Sequence, residues 1–154
     1  MALDAVDLRL VQLLSADARA TNASLATSVS VAPSTAHTRL HSLLRRGVIT
    51  GFHAATNQSS IGNGLQAMIG VSLQAGARQE NIHDFVDAVC LLPQVVQMFF
   101  VSGSEDFLIH VAVPGVAELR QFVLDNLSGQ RRVASTKTSV IFEYRRNQVV
   151  SPFS

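Results

Sequence analysis

The sequence predicts an α+β protein, with an N-terminal winged helix-turn-helix domain followed by a ferredoxin-like β-α-β-β-α-β domain. Two observations predict this fold class. Three apolar stripes at helical spacing fill the first part of the chain, and the third begins at Pro33 and stops at Gly47. Beyond residue 64, strand and helix patterns alternate. The length of 154 residues fits one domain or two small ones, and the change of pattern favours two.

The composition indicates a folded protein with its positive charge concentrated near the N-terminus. Hydrophobic residues make up 47% of the chain, enough for packed cores, and charged residues make up 15%, too few for a disordered chain. Residues 1–52 hold five arginines against three aspartates, a net charge of +2, whereas residues 53–154 hold seven basic and eight acidic groups, a net charge of −1. This asymmetry has the sign that nucleic-acid binding by the first domain requires.

The cysteine content and the N-terminus predict a cytoplasmic protein with no membrane association. Cys90 has no partner for a disulfide within the chain, which fits a reducing compartment. The first ten residues carry acids where a secretory signal needs positive charge, and no apolar run is long enough to span a membrane. We expect Cys90 to be a small buried side chain. We expect His83 and His110, whose spacing suits no metal site, to be surface or lightly packed residues.

Capping residues place the first two helices. Asp4 is the expected N-cap of the first helix, with Asp7 in its first turn, where a negative charge meets the positive end of the helix dipole. Asn22 is the expected N-cap of the second helix. A turn at Ser30 and Val31 follows it. The predicted buried faces are Val6, Leu10, Leu13 and Leu14 in the first helix and Leu25, Ala26 and Val29 in the second.

The third helix is the predicted DNA-recognition helix. Pro33 suits its first position and Gly47 suits its left-handed stop. Its outward side chains are polar, and the candidate DNA-binding residues are Ser34, Thr35, His37, Thr38, Arg39 and His41. Hydroxyls and imidazoles on such a helix contact base edges or phosphates, and the alternative is an ordinary solvated face. Arg39 either contacts a phosphate or pairs with an acid such as Asp17 and fixes the motif.

Residues 48–56 are expected to form a short strand or hairpin, the wing of a winged helix, because their apolar side chains alternate loosely. Residues 57–64 are polar and rich in glycine, which predicts a linker. The predicted organisation is therefore a DNA-binding domain over 1–52, a strand and linker over 53–64, and an effector-binding and oligomerisation domain over 65–154.

Four strands and two helices are predicted in the second domain. The strands span 67–75, 95–102, 107–113 and 132–144, and the helices span 80–92 and 115–128. The strand at 95–102 is apolar on both faces. Two helices cover only one face of a four-stranded sheet, and a second copy of the sheet is the simplest cover for the other face. We therefore expect a homodimer.

A turn and the last strand supply the candidate effector-binding residues. Gly103, Ser104, Glu105 and Asp106 form a turn whose N–H groups suit a carboxylate and whose acids suit an ammonium group. The last strand adds the hydroxyls of Thr136, Thr138 and Ser139. Together these groups suit a zwitterionic amino acid. The alternative is a tight β-turn capped by Asp106, with the threonines present for their strand propensity.

Short motifs in a fixed order resemble the Lrp/AsnC, or feast/famine, family of transcription regulators over nearly the whole chain. They are Leu3-Asp4 with Asp7, Asp17-Ala18-Arg19, Pro33-Ser34-Thr35 with Arg39 and Leu40, Gly47-Val48-Ile49 with Gly51-Phe52, Gly103-x-x-Asp106-Phe107, and Thr136-x-Thr138-Ser139. The resemblance implies dimers formed through the C-terminal sheets and further assembly into octamers or discs. It also implies an amino acid or related small molecule bound at interfaces between C-terminal domains. Ser30, Ala32 and Glu105 depart from the family, in which Gly, Ser and Tyr are common at these positions.

These features predict a sequence-specific DNA-binding transcriptional regulator that responds to an amino acid and binds a pseudo-palindromic operator as a dimer. No Ser-His-Asp order, P-loop or dinucleotide fingerprint is present, so we expect neither catalytic residues nor a cofactor or metal. Two alternatives remain open. One is an architectural DNA-binding protein with little sequence preference. The other is a small-molecule-binding or enzymatic ferredoxin-like domain with a helical assembly module.

Overall fold

A computed structural model describes residues 3–76 and 79–145. The chain forms two compact units that divide between Ala55 and Thr56. The first unit contains α1 (Ala5–Ala16), α2 (Asn22–Ser28) and α3 (Pro33–Arg45). The second contains a 3-10 turn (Ser59–Ile61), β1 (Leu65–Leu73), α4 (Gln79–Cys90), β2 (Val95–Phe100), β3 (Phe107–Val113), α5 (Val116–Val123), a π-helical turn (Leu124–Ser128) and β4 (Val133–Ile141). None of the helices in the described ranges is long and apolar enough to span a membrane.

The caps of the first two helices differ in how well the sequence predicts them. Asp4 caps α1 as predicted, and its Oδ1 accepts a hydrogen bond from the backbone N–H of Asp7 at 2.8 Å. The predicted cap at Asn22 is wrong, because Thr21 caps α2 and its Oγ1 accepts from the N–H of Ser24 at 3.1 Å. Both residue types cap helices well. The extended backbone of Thr21 gives it the role, and Asn22 becomes the first helical residue.

The turn between α2 and α3 carries two locally unfavourable residues. Ser30 has a φ of 56°, in the left-handed region that costs a non-glycine residue roughly 1–2 kcal/mol. Ala32 occupies the N-cap of α3 and makes no side-chain capping bond. Pro33 stands at the start of the helix, and Gly47, with a φ of 69°, follows its end. The start and stop predicted for this helix are therefore confirmed.

One apolar cluster joins the three helices of the first unit. Its buried members are Leu10, Leu14, Leu25 and Leu43. Each fully buried leucine stabilises the fold by roughly 1.5–3 kcal/mol relative to an exposed one. Ile49 packs against this cluster from beyond the end of α3. The stripes predicted for the first two helices are confirmed, since Leu10, Leu14 and Leu25 belong to them.

The predicted wing is wrong: residues 48–56 form no strand. The N–H groups of Val48 and Ile49 both donate to the carbonyl of Leu43, at 3.0 Å and 3.3 Å, and so continue the end of α3. A strand needs a second strand to satisfy its backbone groups. The described residues of the first unit provide none, and the loose apolar alternation of 48–56 is therefore not enough to form one.

The second unit is a four-stranded antiparallel sheet with the strand order β2-β3-β1-β4. Together with α4 and α5 it forms the predicted β-α-β-β-α-β arrangement, which is confirmed. In the central strand, Ile69 pairs with Ile109 on one side and with Thr138 on the other. The last helix, together with its final turn, covers the predicted range from Val116 to Ser128. It ends in a π turn, closed by a hydrogen bond of 3.1 Å from the N–H of Gly129 to the carbonyl of Leu124.

The helices and one face of the sheet enclose the core of the second unit. Its buried members are Ala67, Ile69, Val71, Phe85, Val89, Phe107, Ile109, Val111, Val113, Leu119, Phe122, Leu127 and Val133. Because side chains alternate along a strand, the intervening residues point to the opposite side of the sheet. We call this side the outer face, and its β1 members are Gln66, Met68, Gly70 and Ser72.

Candidate nucleic-acid interface and effector site

The outward side of α3 presents a polar surface that is free of apolar packing. Ser34, Thr35, His37, Thr38 and His41 are all exposed, as predicted, and we call them the recognition surface. The hydroxyl of Thr38 donates to the carbonyl of Ser34 at 2.9 Å, so it retains acceptor capacity. The rings of His37 and His41 lie 4.3 Å apart, centroid to centroid. Small donors and acceptors near the start of a helix are the groups with which a recognition helix contacts base edges.

The guanidinium of Arg39 pairs with two acids of its own domain. Its Nη1 lies 2.7 Å from Oδ2 of Asp4 and 2.8 Å from Oδ1 of Asp7. Of the two roles the sequence left open, the structure supports pairing with an acid, but the acids are those of α1. Asp17 instead accepts from the backbone N–H of Arg19 at 2.8 Å. The arginine therefore ties the middle of α3 to the first turn of α1.

The electrostatics of this cluster follow from its hydrogen bonds. The N–H of Asp7 and the guanidinium of Arg39 both stabilise the Asp4 carboxylate and lower the pKa of that group below its ordinary value. The carboxylates of Asp7 and Asp4, which both accept from the guanidinium, in turn raise the pKa of Arg39. Asp7 is buried, and Arg46 also approaches it, with Nη1 3.9 Å from its Oδ2. Because its partners are more than thirty residues away in sequence, this role of Asp7 could not be predicted from local spacing.

Asn22 joins the starts of α2 and α3. Its Nδ2 donates to the carbonyl of Pro33 at 2.8 Å, while its Oδ1 is buried without a partner among the described residues. The contact fixes the first turn of α3 at a point where Ala32 provides no cap. Sequence reasoning predicted a different role for this asparagine, namely the cap of its own helix.

Asp106 has a structural role in the sheet. Its Oδ2 accepts from the backbone N–H of Leu73 at 2.7 Å, and its own N–H donates to the carbonyl of Val71 at 2.9 Å. These contacts give Asp106 a structural role, as the alternative expected, but its carboxylate holds β1 and not the backbone of its own turn. They occupy Oδ2 of the carboxylate, and the use of Asp106 or Glu105 as an ammonium ligand stays a prediction. Ser104 also contacts β1, since its carbonyl accepts from the hydroxyl of Ser72 at 3.1 Å.

Glu105 lies on the outer face, directly over Gly70. A Cβ added to Gly70 would lie 2.7 Å from Cγ of Glu105, so only glycine leaves room for this side chain. Ser104 donates its hydroxyl to Oε2 of Glu105 at 2.6 Å. Lys137, the single lysine of the chain, is the β4 residue opposite Gly70, and its side chain therefore points to the same face. Sequence reasoning missed both Gly70 and Lys137.

The three predicted hydroxyls of β4 do not share one face. Thr136 pairs with Val71 and Thr138 with Ile69, so both point to the helix side of the sheet. Ser139 pairs with Met68 and points to the outer face. A single chain therefore does not bring all three hydroxyls to one face, and their assignment to an effector stays a prediction. The two-residue period of the strand separates them. Gly103 has a φ of 148° in the turn, and because it has no side chain it offers a ligand only its backbone groups.

Two further predictions about single residues are wrong. His110 is buried, with 2% of its surface exposed, because its outer-face position is covered by Gln66, Gln97 and Tyr144. Its Nε2 lies 2.9 Å from Oε1 of Gln66, and burial lowers the pKa of His110 below its ordinary value of 6.5. Cys90, predicted to be buried, is exposed at the end of α4, where its Sγ lies 3.7 Å from Sδ of Met98. His83 is exposed, as predicted.

The outer face and the adjoining edge strand carry apolar side chains that this chain leaves uncovered. Phe99, which pairs with the outer-face residue Leu108, is 44% exposed. Val96 is 45% exposed and Tyr144 is 51% exposed. The helices pack on the opposite side of the sheet. A sheet face with exposed aromatic residues is the kind of surface that other proteins or other copies of a chain cover.

Both units match known domains. Residues 3–44 match the AsnC-type helix-turn-helix domain, and residues 66–148 match the Lrp/AsnC ligand binding domain. The HTH-type transcriptional regulator AldR of Mycolicibacterium smegmatis is 44% identical over 144 residues, which are 94% of this chain and 84% of that protein. The leucine-responsive regulatory protein of Rhizobium meliloti is 32% identical over 138 residues, which are 88% of this chain and 86% of that protein.

Solved structures show the same two-unit arrangement of elements. The crystal structure of AldR from Mycobacterium tuberculosis superposes with a TM-score of 0.80 at 37% identity and covers 97% of this chain and 100% of its own. A transcriptional regulator from Neisseria meningitidis, solved as a complex with L-Met, has a TM-score of 0.84 at 28% identity and covers 95% of this chain and 94% of its own.

Proposed function

Because this chain belongs to the Lrp/AsnC family of transcriptional regulators, and is a DNA-binding regulator and not an enzyme, we propose that its recognition surface contacts base edges in the major groove. The observation that carries this assignment is that the polar residues of α3 have two different environments. Arg39 is held by Asp4 and Asp7, while the hydroxyls and imidazoles of the recognition surface face solvent. Specificity then depends on these small groups, since phosphate contacts position a protein without selecting a sequence.

The second part of the proposal is a homodimer formed through the outer face. The exposed Phe99 and the uncovered sheet support it, since a copy of the same face would bury them symmetrically. Such a dimer presents two recognition helices to a pseudo-palindromic operator, with half-sites about one helical turn apart. Light scattering on the full-length protein tests it. Phe99→Asp should yield monomers, whereas Val116→Asp, at a residue of α5 that is 73% exposed, should not. Larger assembly, up to the octamer that the family resemblance implies, would appear in the same measurement.

The third part is an amino-acid effector on the outer face. Glu105 and Lys137 flank Gly70 there, and the structure shows no ion pair between them. An acid and a base held apart in this way suit the ammonium and carboxylate groups of a zwitterion. The complex of the Neisseria meningitidis regulator with L-Met supports the same ligand class. Of the two acids predicted for the ammonium group, this assignment selects Glu105, and it leaves the hydroxyls of Thr136 and Thr138 unused.

Two experiments test the proposed function. Fluorescence anisotropy with the DNA upstream of the protein's own gene measures specific binding. A comparison with random DNA over a range of salt concentrations separates a sequence-specific regulator from an architectural protein. A thermal-shift screen of the twenty amino acids then identifies the effector, because a ligand that binds only the folded state raises its apparent stability. An absence of preference for the upstream DNA would favour the architectural alternative.

A further inference from the structure

His37 and His41 stand one helical turn apart on the recognition surface. Their ring centroids are 4.3 Å apart and their ring planes are tilted by 57°. Both side chains are exposed, and apart from this ring contact neither has a polar partner among the residues that the structure describes. Contact with DNA bases requires hydrogen-bonding groups on this surface but does not require two imidazoles so close together.

We propose that His37 and His41 form a two-nitrogen site for a divalent transition-metal ion such as Zn²⁺, Ni²⁺ or Cu²⁺. Two histidines four residues apart lie on the same face of a helix, and this spacing directs two imidazoles at one metal ion. Neutral imidazole nitrogen is a ligand that these ions bind well, whereas Mg²⁺ and Ca²⁺ select oxygen ligands. Because α3 fixes both backbone positions, only side-chain rotation is needed to bring the two rings onto an ion.

The site is an open one. Among the described residues, no group of three histidine, cysteine, aspartate or glutamate side chains lies close enough together to hold a metal ion. The remaining coordination positions therefore belong to water, and binding is reversible, unlike that of a closed four-ligand structural site. The sequence analysis predicts no metal site, and it considers the spacing of His83, His110 and Cys90. The proposed site on α3 differs from that prediction because it uses His37 and His41 instead.

A bound ion would occupy the surface that we propose for DNA. This consequence rests on the proposed function. Coordination uses one ring nitrogen of His37 and one of His41 and turns both rings towards the ion, and the hydrated ion occupies the space in which a base edge would meet these side chains. Metal occupancy and specific DNA contact through these two residues exclude each other, and the affinity for the operator should fall as the site fills.

The direct test is calorimetric titration of untagged, EDTA-treated full-length protein with Ni²⁺ or Zn²⁺. The wild type should bind one ion per chain at this site, and His37→Ala and His41→Ala should each weaken binding by on the order of tenfold or more, because attachment at two points becomes attachment at one. His53→Ala, at an exposed histidine outside α3, is the matched control and should change nothing. Mg²⁺ should not bind.

A relocation variant tests whether the spacing matters. Combining His37→Ala with Arg45→His re-creates the four-residue spacing between position 45 and His41, and should restore affinity that His37→Ala alone has lost. Equal metal affinity in the wild type and in both single alanine variants would overturn the site. A loss in His53→Ala as large as in His37→Ala would overturn it as well.

Operator binding with and without Ni²⁺ separates the metal site from the proposed function. Ni²⁺ should weaken operator binding by the wild type. His37→Ala lacks a residue of the recognition surface and should bind the operator more weakly from the start, but its remaining affinity should be the same with and without Ni²⁺. Unchanged operator affinity in a metal-loaded wild type would overturn the mutual exclusion. Failure of the metal-free protein to prefer operator DNA would count against the proposed function, and the titration alone would still decide the metal site.

Discussion

Nη1 of Arg39 lies 2.8 Å from Oδ1 of Asp7, and this contact joins the middle of α3 to the first turn of α1 across 32 residues of sequence. Asp7 is buried, and its other oxygen faces Arg46 at 3.9 Å. The orientation of α3 therefore depends on one carboxylate of a different helix as well as on the leucine cluster beneath it.

Removing this carboxylate should destabilise the first unit. Asp7→Ala removes a buried carboxylate that accepts from Arg39 and lies 3.9 Å from Arg46, so the free energy of unfolding should fall by roughly 1–3 kcal/mol. Urea unfolding followed by circular dichroism measures it. Asp17→Ala is the control, because Asp17 is exposed and its carboxylate accepts from the backbone N–H of Arg19, a neighbour in sequence. Similar losses in the two variants would show that the contact with Arg39 adds little.

The salt dependence of DNA binding should distinguish the two roles of Arg39. A phosphate contact adds to the slope of affinity against salt concentration, and losing one reduces that slope by about one. Since Asp4 and Asp7 occupy the guanidinium, Arg39→Ala should weaken binding without changing the slope. Anisotropy titrations at several salt concentrations measure this. A slope that is smaller by about one in Arg39→Ala would show that Arg39 contacts a phosphate.

The recognition surface should tolerate substitution structurally but not functionally. Thr38→Ala with His41→Ala should lower specific operator affinity by on the order of 1–3 kcal/mol for each lost base contact. The melting temperature should change little, because both side chains are exposed. Thr27→Ala is a matched control, since the exposed hydroxyl of Thr27 in α2 makes the same type of bond, to the carbonyl of Ala23 at 3.0 Å. An operator affinity equal to that of the wild type in the double variant would remove these residues from the interface.

The buried imidazole of His110 should make stability depend on pH. Burial lowers the pKa of His110 in the folded chain, so the unfolded chain binds this proton more readily. The free energy of unfolding should be highest above pH 6.5 and should decrease as the pH falls from 6.5 towards the lowered pKa. Urea midpoints between about pH 5 and 8 should show this slope in the wild type and in His53→Gln, and a smaller slope in His110→Gln.

Gly70 should affect effector binding through Glu105. In Gly70→Ala the new methyl group would meet Cγ of Glu105 at 2.7 Å and displace that side chain, so the affinity for the amino acid found in the screen should fall. Gly64→Ala is the control, because no atom lies within 4 Å of the added Cβ. Calorimetry with the identified amino acid measures both. Equal affinities would place the ammonium group away from Glu105.

The sequence predicts the elements of this protein better than it predicts its polar contacts. The stripe that contains Leu10 and Leu14 and the signals at Pro33 and Gly47 are local, so they identify helices and their ends. The partners of Arg39 are distant in sequence. The sequence suggested Asp17, which is nearer to Arg39 along the chain, but the acids that pair with Arg39 are Asp4 and Asp7. The burial of a residue also depends on distant parts of the chain, and this explains why the predictions for His110 and Cys90 failed.

The effector site shows a second limit. Thr136, Thr138 and Ser139 are neighbours in sequence, but the period of a strand sends them to opposite faces. Glu105 and Lys137 are far apart in sequence, but the sheet register brings both to the face of Gly70. Sequence reasoning selected the turn and the strand that carry the proposed effector residues. Strand register, which becomes known only with the fold, selects the residues within them.

The turn between α2 and α3 determines how this protein could be adapted to higher temperature. Ser30 adopts a backbone conformation that glycine accepts without strain, and Ala32 leaves a helix start without its side-chain acceptor. Neither residue belongs to the leucine cluster or to the recognition surface. Substitutions at these two positions of the helix-turn-helix motif should therefore raise the melting temperature, and they need not alter which DNA sequence the protein selects.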